Sequence, residues 1–204
     1  GIKLSSVHIN GVAITNYQQS DSTLTIDTDS NEFELRIENT INPKGNSSLE
    51  GLYLSAGAYC TQCEAEGFRK ITYFLDRPDV LAKYDVTVIA DKNDFLLSNG
   101  NKVDSGDLSG GMHWVKWSDP FKKPCYLFAL VAGDFDLLED TFVTQSGRTI
   151  ALELFVDKGM LGRGQHALDS LKKAMRWDET EFSLEYDLDI YMIVAVDFFN
   201  MGAM

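Results

Sequence analysis

Phe33-Glu34-Leu35-Arg36-Ile37-Glu38 alternates apolar and charged residues for six positions. Side chains two apart share one face of an extended chain, so this stretch predicts a half-buried strand with three apolar groups inward and three charges outward. Similar signals recur at Leu4–Ile9, Thr23–Asp27, Arg69–Phe74, Val86–Ala90, Met112–Trp117 and Tyr126–Ala132. Turn-forming residues separate them: Asn10-Gly11, Asn42-Pro43-Lys44-Gly45, Asn99-Gly100-Asn101 and Ser109-Gly110-Gly111. Asn-Gly suits a tight hairpin because both residues tolerate positive φ. One helical turn is expected after Asp76, with Pro78 near its first position and Val80-Leu81 following. Residues 1–134 therefore read as an antiparallel, sandwich-like β region.

The pattern changes after that. Phe135–Thr144 and Thr149–Val156 predict two more strands around Ser146-Gly147. From Gln165 to Trp177 the period becomes helical, with Ala167, Leu168, Leu171, Ala174 and Met175 on one face. Asp187–Val196 then reads as an apolar strand. Strand, strand, helix, strand is the order expected at the start of a mixed α/β domain.

Composition narrows the function classes. The chain has 204 residues, 44% hydrophobic and 24% charged, enough for one large domain or one domain and part of another. Its 18 basic and 31 acidic residues leave a net charge of −13. Nucleic-acid binding needs a basic surface that displaces counterions, and no basic cluster exceeds two consecutive residues, so nucleic acid and anionic membranes are not expected partners. The apolar run Ile190–Phe199 is about half the ~20 residues of a spanning helix. Gly1-Ile2-Lys3-Leu4 has neither an initiator Met nor a basic-then-apolar leader. Three cysteines without a secretion signal predict reduced thiols in a cytoplasmic protein.

Few residues could carry chemistry. Cys60-Thr61-Gln62-Cys63 has the spacing of a redox pair or half a zinc ribbon, but no second C-x-x-C follows and only Cys125 remains. Small buried thiols are the plainer reading. His8, His113 and His166 are isolated, H-E-x-x-H is absent, and no three-ligand zinc set can be assembled. Gly159-Met160-Leu161-Gly162-Arg163-Gly164 lacks phosphate-loop spacing and reads as a loop before the helix. On an extended segment, Gln62, Glu64 and Glu66 would point to one side. They form either a solvated strand face or a site for a cation such as a free α-ammonium, which a carboxylate binds through a charge-assisted hydrogen bond.

Several blocks resemble the N-terminal region of the bacterial aminopeptidase N family, zinc-dependent alanyl aminopeptidases. They are Cys60-Thr61-Gln62-Cys63-Glu64-Ala65-Glu66-Gly67-Phe68-Arg69-Lys70-Ile71-Thr72, Leu75-Asp76-Arg77-Pro78-Asp79-Val80-Leu81, Phe95-Leu96-Leu97-Ser98-Asn99-Gly100-Asn101, Pro124-Cys125-Tyr126-Leu127-Phe128-Ala129-Leu130-Val131-Ala132-Gly133 and Tyr186-Asp187-Leu188-Asp189-Ile190-Tyr191. The closing Val196-Asp197-Phe198-Phe199-Asn200-Met201-Gly202-Ala203-Met204 looks like the lead-in to that family's G-x-M-E-N exopeptidase motif.

The resemblance implies a mainly β fold. Residues 1–134 would be a saddle-like N-terminal β domain without its first strands. Residues 135–204 would be the first strands and helix of a thermolysin-like catalytic domain, cut within G-x-M-E-N. It implies zinc in the parent enzyme but none in this chain, whose piece would be inactive alone. The implied partners are a peptide with a free N-terminus and the remaining catalytic and C-terminal domains. Glu64, with Gln62 beside it, would bind the substrate ammonium. Gly202 and Ala203 would offer backbone groups to the substrate main chain, and Met201, with Met204 at the end of the segment, would line the pocket for the first side chain. Glu66 receives no role from the resemblance. The competing reading is a stand-alone β-sandwich module that binds a peptide or sugar through Glu64 and nearby aromatics.

Overall fold

The computed structural model describes residues 1–196. Its first third is a set of short strands: β1 (Lys3–Ile9), β2 (Val12–Ala13), β3 (Tyr17–Gln19), β4 (Leu24–Ile26) and β5 (Leu35–Thr40). The Asn10-Gly11 turn closes the β1–β2 hairpin with φ of 50° and 79°, the positive values that this dipeptide tolerates. β5 pairs antiparallel with β1. Its alternation is that of a strand, but its apolar side is poorly covered: Phe33 is 41% exposed and Leu35 42%. Periodicity marks the strand there without fixing how deeply it is buried.

The central part holds β6 (Gly51–Ser55), β7 (Ala58–Gln62), β8 (Leu81–Asp91), β9 (Phe95–Ser98), β10 (Asn101–Leu108), β11 (Met112–Pro124) and β12 (Leu130–Gly133). They form two sheets, ordered β6-β7-β12-β9 and β10-β11-β8. The β10–β11 hairpin turns through Gly110 and Gly111, both at φ 76°. β7 carries Cys60, Thr61 and Gln62, all buried, so it lacks the alternation of a half-exposed strand.

Three local expectations are corrected here. Arg69–Phe74 is not a strand. Phe68–Lys70 forms a 3-10 turn, because the backbone N–H of Arg69 donates to the carboxylate of Asp76 (2.9 Å) rather than to a ladder. Phe68 is drawn inward, where it meets Phe74 and Phe128 edge-to-face at 5.1 Å each. No helical turn follows Asp76. The Arg77–Val80 segment makes one turn, and the chain then extends into β8, whose Leu81 pairs with Pro124. Finally, the strand expected from Tyr126 begins only at Leu130. Cys125–Leu127 is a 3-10 turn, and the Asn99 side chain holds the exit by donating to Leu127 O (3.0 Å) and accepting from Ala129 N (2.7 Å).

The last part follows the expected order: β13 (Asp136–Val143), β14 (Thr149–Val156), the helix α1 (Gln165–Phe182) and β15 (Ile190–Ala195). β13 and β14 pair antiparallel, while β15 lies parallel to β14 across the helical crossover. One face of β14, Ile150, Leu152, Leu154 and Val156, packs with Leu168 and Met175 of α1. The other face points the opposite way, and Phe155 joins Phe135, Leu96, Trp117 and Ala132 in the larger core. This core spans position 134. A reciprocal pair also ties the two parts: Asp189 N donates to Asn101 Oδ1 (2.9 Å) and Asn101 Nδ2 donates to Asp189 Oδ2 (3.1 Å). Among the described residues no helix is long and apolar enough to cross a membrane.

Candidate functional site

The site begins where β7 ends. β7 is an inner strand between β6 and β12, so Gln62 at its last position is 1% exposed. The chain then leaves the sheet in a tight turn over residues 63–67, closed by Gly67 N donating to Cys63 O (2.7 Å). Only glycine fits at 67. A Cβ there would lie 2.3 Å from Gln62 O, 2.9 Å from Gly51 N and 3.0 Å from Cys63 Cα, all backbone atoms. Cys63 points into the core with Phe68, Tyr84, Cys125 and Phe128, and this leaves Glu64 at the exposed crest.

This geometry revises the picture of one extended face. Gln62 and Glu64 are neighbours, but through the turn: Gln62 Nε2 donates to the backbone carbonyl of Glu64 (3.0 Å). Gln62 Oε1 is buried and has no hydrogen-bond donor among the described residues. The Glu64-Ala65 peptide is cis. Glu66 does not join them, because the turn takes it to Arg69, with Oε2 3.4 Å from Nη1. Met201, Gly202, Ala203 and Met204 lie outside the described residues.

Behind the turn is a buried carboxylate. Asp76, 7% exposed, accepts through Oδ2 from Arg69 N (2.9 Å) and Arg69 Nε (3.0 Å), and through Oδ1 from Cys125 Sγ (2.9 Å). Its own backbone carbonyl accepts from Arg69 Nη2 (2.8 Å). Burial by itself would raise the Asp76 pKa. The thiol, the backbone N–H and the guanidinium outweigh it and hold the carboxyl below its ordinary range. Burial first, then the nearby acidic groups, pushes the Cys63 and Cys125 thiols up to about 12. Cys60 is also raised by burial, opposed by a hydrogen bond with Tyr53. All three cysteines are free and buried. At neutral pH they are therefore thiols, the unreactive form. In sequence Asp76 stands in a Leu-Asp-Arg-Pro stretch and reads as a turn residue; only its buried position reveals a role.

A zinc site does not fit the described residues. No group of three His, Cys, Asp or Glu side chains among them is arranged to hold a metal. Cys63, Cys125 and Asp76, the nearest candidates in chemistry, do not make such a group, and Cys125 Sγ and Asp76 Oδ1 are bonded to each other at 2.9 Å. His113 Nε2 bonds to the backbone carbonyl of Asp94 (2.9 Å).

The profile of the Peptidase M1 N-terminal domain matches residues 2–127. This chain belongs to that family. Across its full length, the M1 N-terminal domain chain is 62% identical to Aminopeptidase N of Escherichia coli (strain K12) and covers 24% of that relative. It is 61% identical to Aminopeptidase N of Haemophilus influenzae, over 99% of the chain and 24% of that relative. The chain thus spans about a quarter of the length of these curated relatives. Among solved structures, Legionella pneumophila aminopeptidase A in complex with aspartic acid superposes with a TM-score of 0.93 at 34% identity, covering 98% of this chain and 24% of that one. An M1 zinc metallopeptidase from Deinococcus radiodurans shares the fold, with a TM-score of 0.83 at 16% identity over 98% of this chain and 48% of its own. The mainly β architecture expected from sequence is that of the matching part of these structures.

Proposed function

We propose that this chain is the N-terminal part of a zinc-dependent aminopeptidase and supplies half of the clamp that holds a peptide's free N-terminus. Glu64 is the charged acceptor for the substrate α-ammonium. Gln62 is the second acceptor, and it also fixes the carbonyl of Glu64. Met201, Gly202, Ala203 and Met204 belong to the same reading as the groups beside the substrate main chain and first side chain. Two acceptors converging on one ammonium define where the peptide starts, and so restrict cleavage to the first residue.

The observation that carries this reading is Gln62. Its amide is almost fully buried, its N–H₂ is engaged by Glu64 O, and its Oε1 has no donor among the described residues. A buried acceptor left unsatisfied costs about 1–3 kcal/mol. An ammonium seated against Glu64 supplies the missing donor, so substrate binding relieves a cost already present in the fold.

Zinc and the groups that activate water then lie in the part of the relatives' length that this chain does not span. The catalytic domain starts at β13, near residue 134. The protein is cytoplasmic, which suits three unbonded thiols. Identity with aminopeptidases along the whole chain speaks against a free-standing sugar- or peptide-binding module.

The test is Glu64→Ala in the whole enzyme, assayed on an alanine anilide. Loss of a hydrogen bond to a charged group should cost about 1.5–3 kcal/mol in kcat/KM, roughly 10- to 150-fold. An unchanged kcat/KM would remove Glu64 from the role.

A further inference from the structure

We propose that Asp76, which has no place against the substrate, is the positioning residue that holds Glu64 at the height and direction needed to meet an ammonium. The proposal rests on the reading of Glu64 as the anchor. It also explains why a carboxylate is buried at this point in the fold.

A continuous run of hydrogen bonds leads from Asp76 to Glu64. Asp76 Oδ2 fixes the backbone N–H of Arg69 at 2.9 Å. The next residue, Lys70, donates its N–H to Gly67 O (3.0 Å), and Gly67 donates its own N–H to Cys63 O (2.7 Å). Cys63 O belongs to the peptide that joins Glu64, so the entry to the crest is set from this side. The exit is set by Gln62, whose Nε2 binds Glu64 O. Arg69 adds a second tie by reaching back to Glu66 on the far limb of the turn.

Asp76 is itself held from below. Cys125 donates to its other oxygen, and Cys125 leads through its 3-10 turn into β12, which pairs with β7 through Val131 and Cys60. Sheet, thiol, carboxylate, guanidinium and turn thus close a loop around Glu64. A carboxylate suits this junction because it accepts on two oxygens at once. An asparagine offers one carbonyl oxygen and would turn an N–H₂ toward either Arg69 or Cys125.

The experiment is a double-mutant cycle in the whole enzyme, with KM and kcat read separately on an alanine anilide. The Glu64 bond to the ammonium exists in the ground state and the transition state alike, so displacing Glu64 should act mainly on KM. Asp76→Asn is expected to raise KM roughly 10- to 100-fold, within the loss expected for a hydrogen bond to a charged group, with kcat changed little. In the Glu64→Ala background the same substitution should raise KM no further. A purely structural role would multiply KM equally in both backgrounds, and that result overturns the proposal, as does an unchanged KM in Asp76→Asn. If Glu64→Ala alone leaves KM unaltered, the anchor reading itself falls and the positioning role falls with it. Arg69→Lys provides the second arm should Asp76→Asn fail to fold. Its side chain is half exposed (49%), and it keeps the charge but loses the fork that grips Asp76. It should show the same rise in KM and the same absence of effect beside Glu64→Ala; equal effects in both backgrounds would again refute the role.

Discussion

Replacing Gly67 by alanine isolates the close approach on which the Glu64 turn is built. Gly67 has φ −78° and ψ −21°, values open to any residue, so alanine meets no conformational penalty there. In the unfolded chain alanine has less freedom than glycine, which by itself would stabilise the fold by about 0.4–1 kcal/mol. Sterics oppose this. The new Cβ would lie 2.3 Å from Gln62 O, where ordinary contact begins at 3.4 Å, and 2.9 Å from Gly51 N. Both neighbours are backbone atoms, in or bordering strands β7 and β6, so neither can swing aside as a flexible side chain could. Relief requires the turn to move outward by about 1 Å, which overpacking studies place at about 1–3 kcal/mol. That movement also stretches the Gly67 N to Cys63 O bond, worth about 0.5–1.5 kcal/mol. Sterics win, and the net expectation is a destabilisation of about 0.5–4 kcal/mol. The assay is equilibrium urea unfolding followed by tryptophan fluorescence, to which Trp117, 2% exposed, contributes a buried reporter. Gly162→Ala serves as the control, because its φ is not positive and a Cβ there meets nothing within 4 Å. It should be neutral or slightly stabilising. If Gly67→Ala unfolds at the same urea concentration as Gly162→Ala, the account of the turn is wrong.

Further outcomes follow from the same chemistry. The Asp76 pKa is lower in the folded state, so its stabilising contribution is complete above the ordinary carboxylate value of 3.8 and is lost as pH falls through that value toward the folded one. Asp76→Asn should accordingly flatten the fall of Tm in acid, and an unaltered slope would show that the carboxylate is not held low. Cys60, Cys63 and Cys125 should resist a thiol reagent such as Ellman's at neutral pH and react together on unfolding in urea; prompt labelling of Cys63 or Cys125 in the folded chain would contradict their burial and their pKa near 12. This 204-residue chain should hold no stoichiometric zinc after dialysis, and one tightly bound zinc per chain by elemental analysis would refute that expectation.

The candidate stretch and the tight turns were legible because they depend on short sequence blocks. The Gln62-Cys63-Glu64 stretch could be picked out, and the hairpin turns at Asn10-Gly11 and Gly110-Gly111 announce their positive φ. The geometry of the stretch was not legible. A spacing of two places Glu66 beside Glu64 only if the chain stays extended, and it turns instead because Gly67 can press against β6 and β7. β7 escapes a search for alternation, since it is buried at nearly every position.

By itself, the sequence determined where extended structure dominates and where the period becomes helical at α1. Those are local properties, fixed by side-chain period and by the few residues that tolerate special backbone angles. Only the tertiary structure decided that Arg69–Phe74 would curl rather than extend, that one core would run through both halves by way of Phe135 and Phe155, and that Asp76 would be buried against Arg69 and Cys125. The reason is that each depends on a partner brought close by folding from a distance in sequence, 49 residues for Cys125 and Asp76, and no local pattern encodes the energy of meeting it.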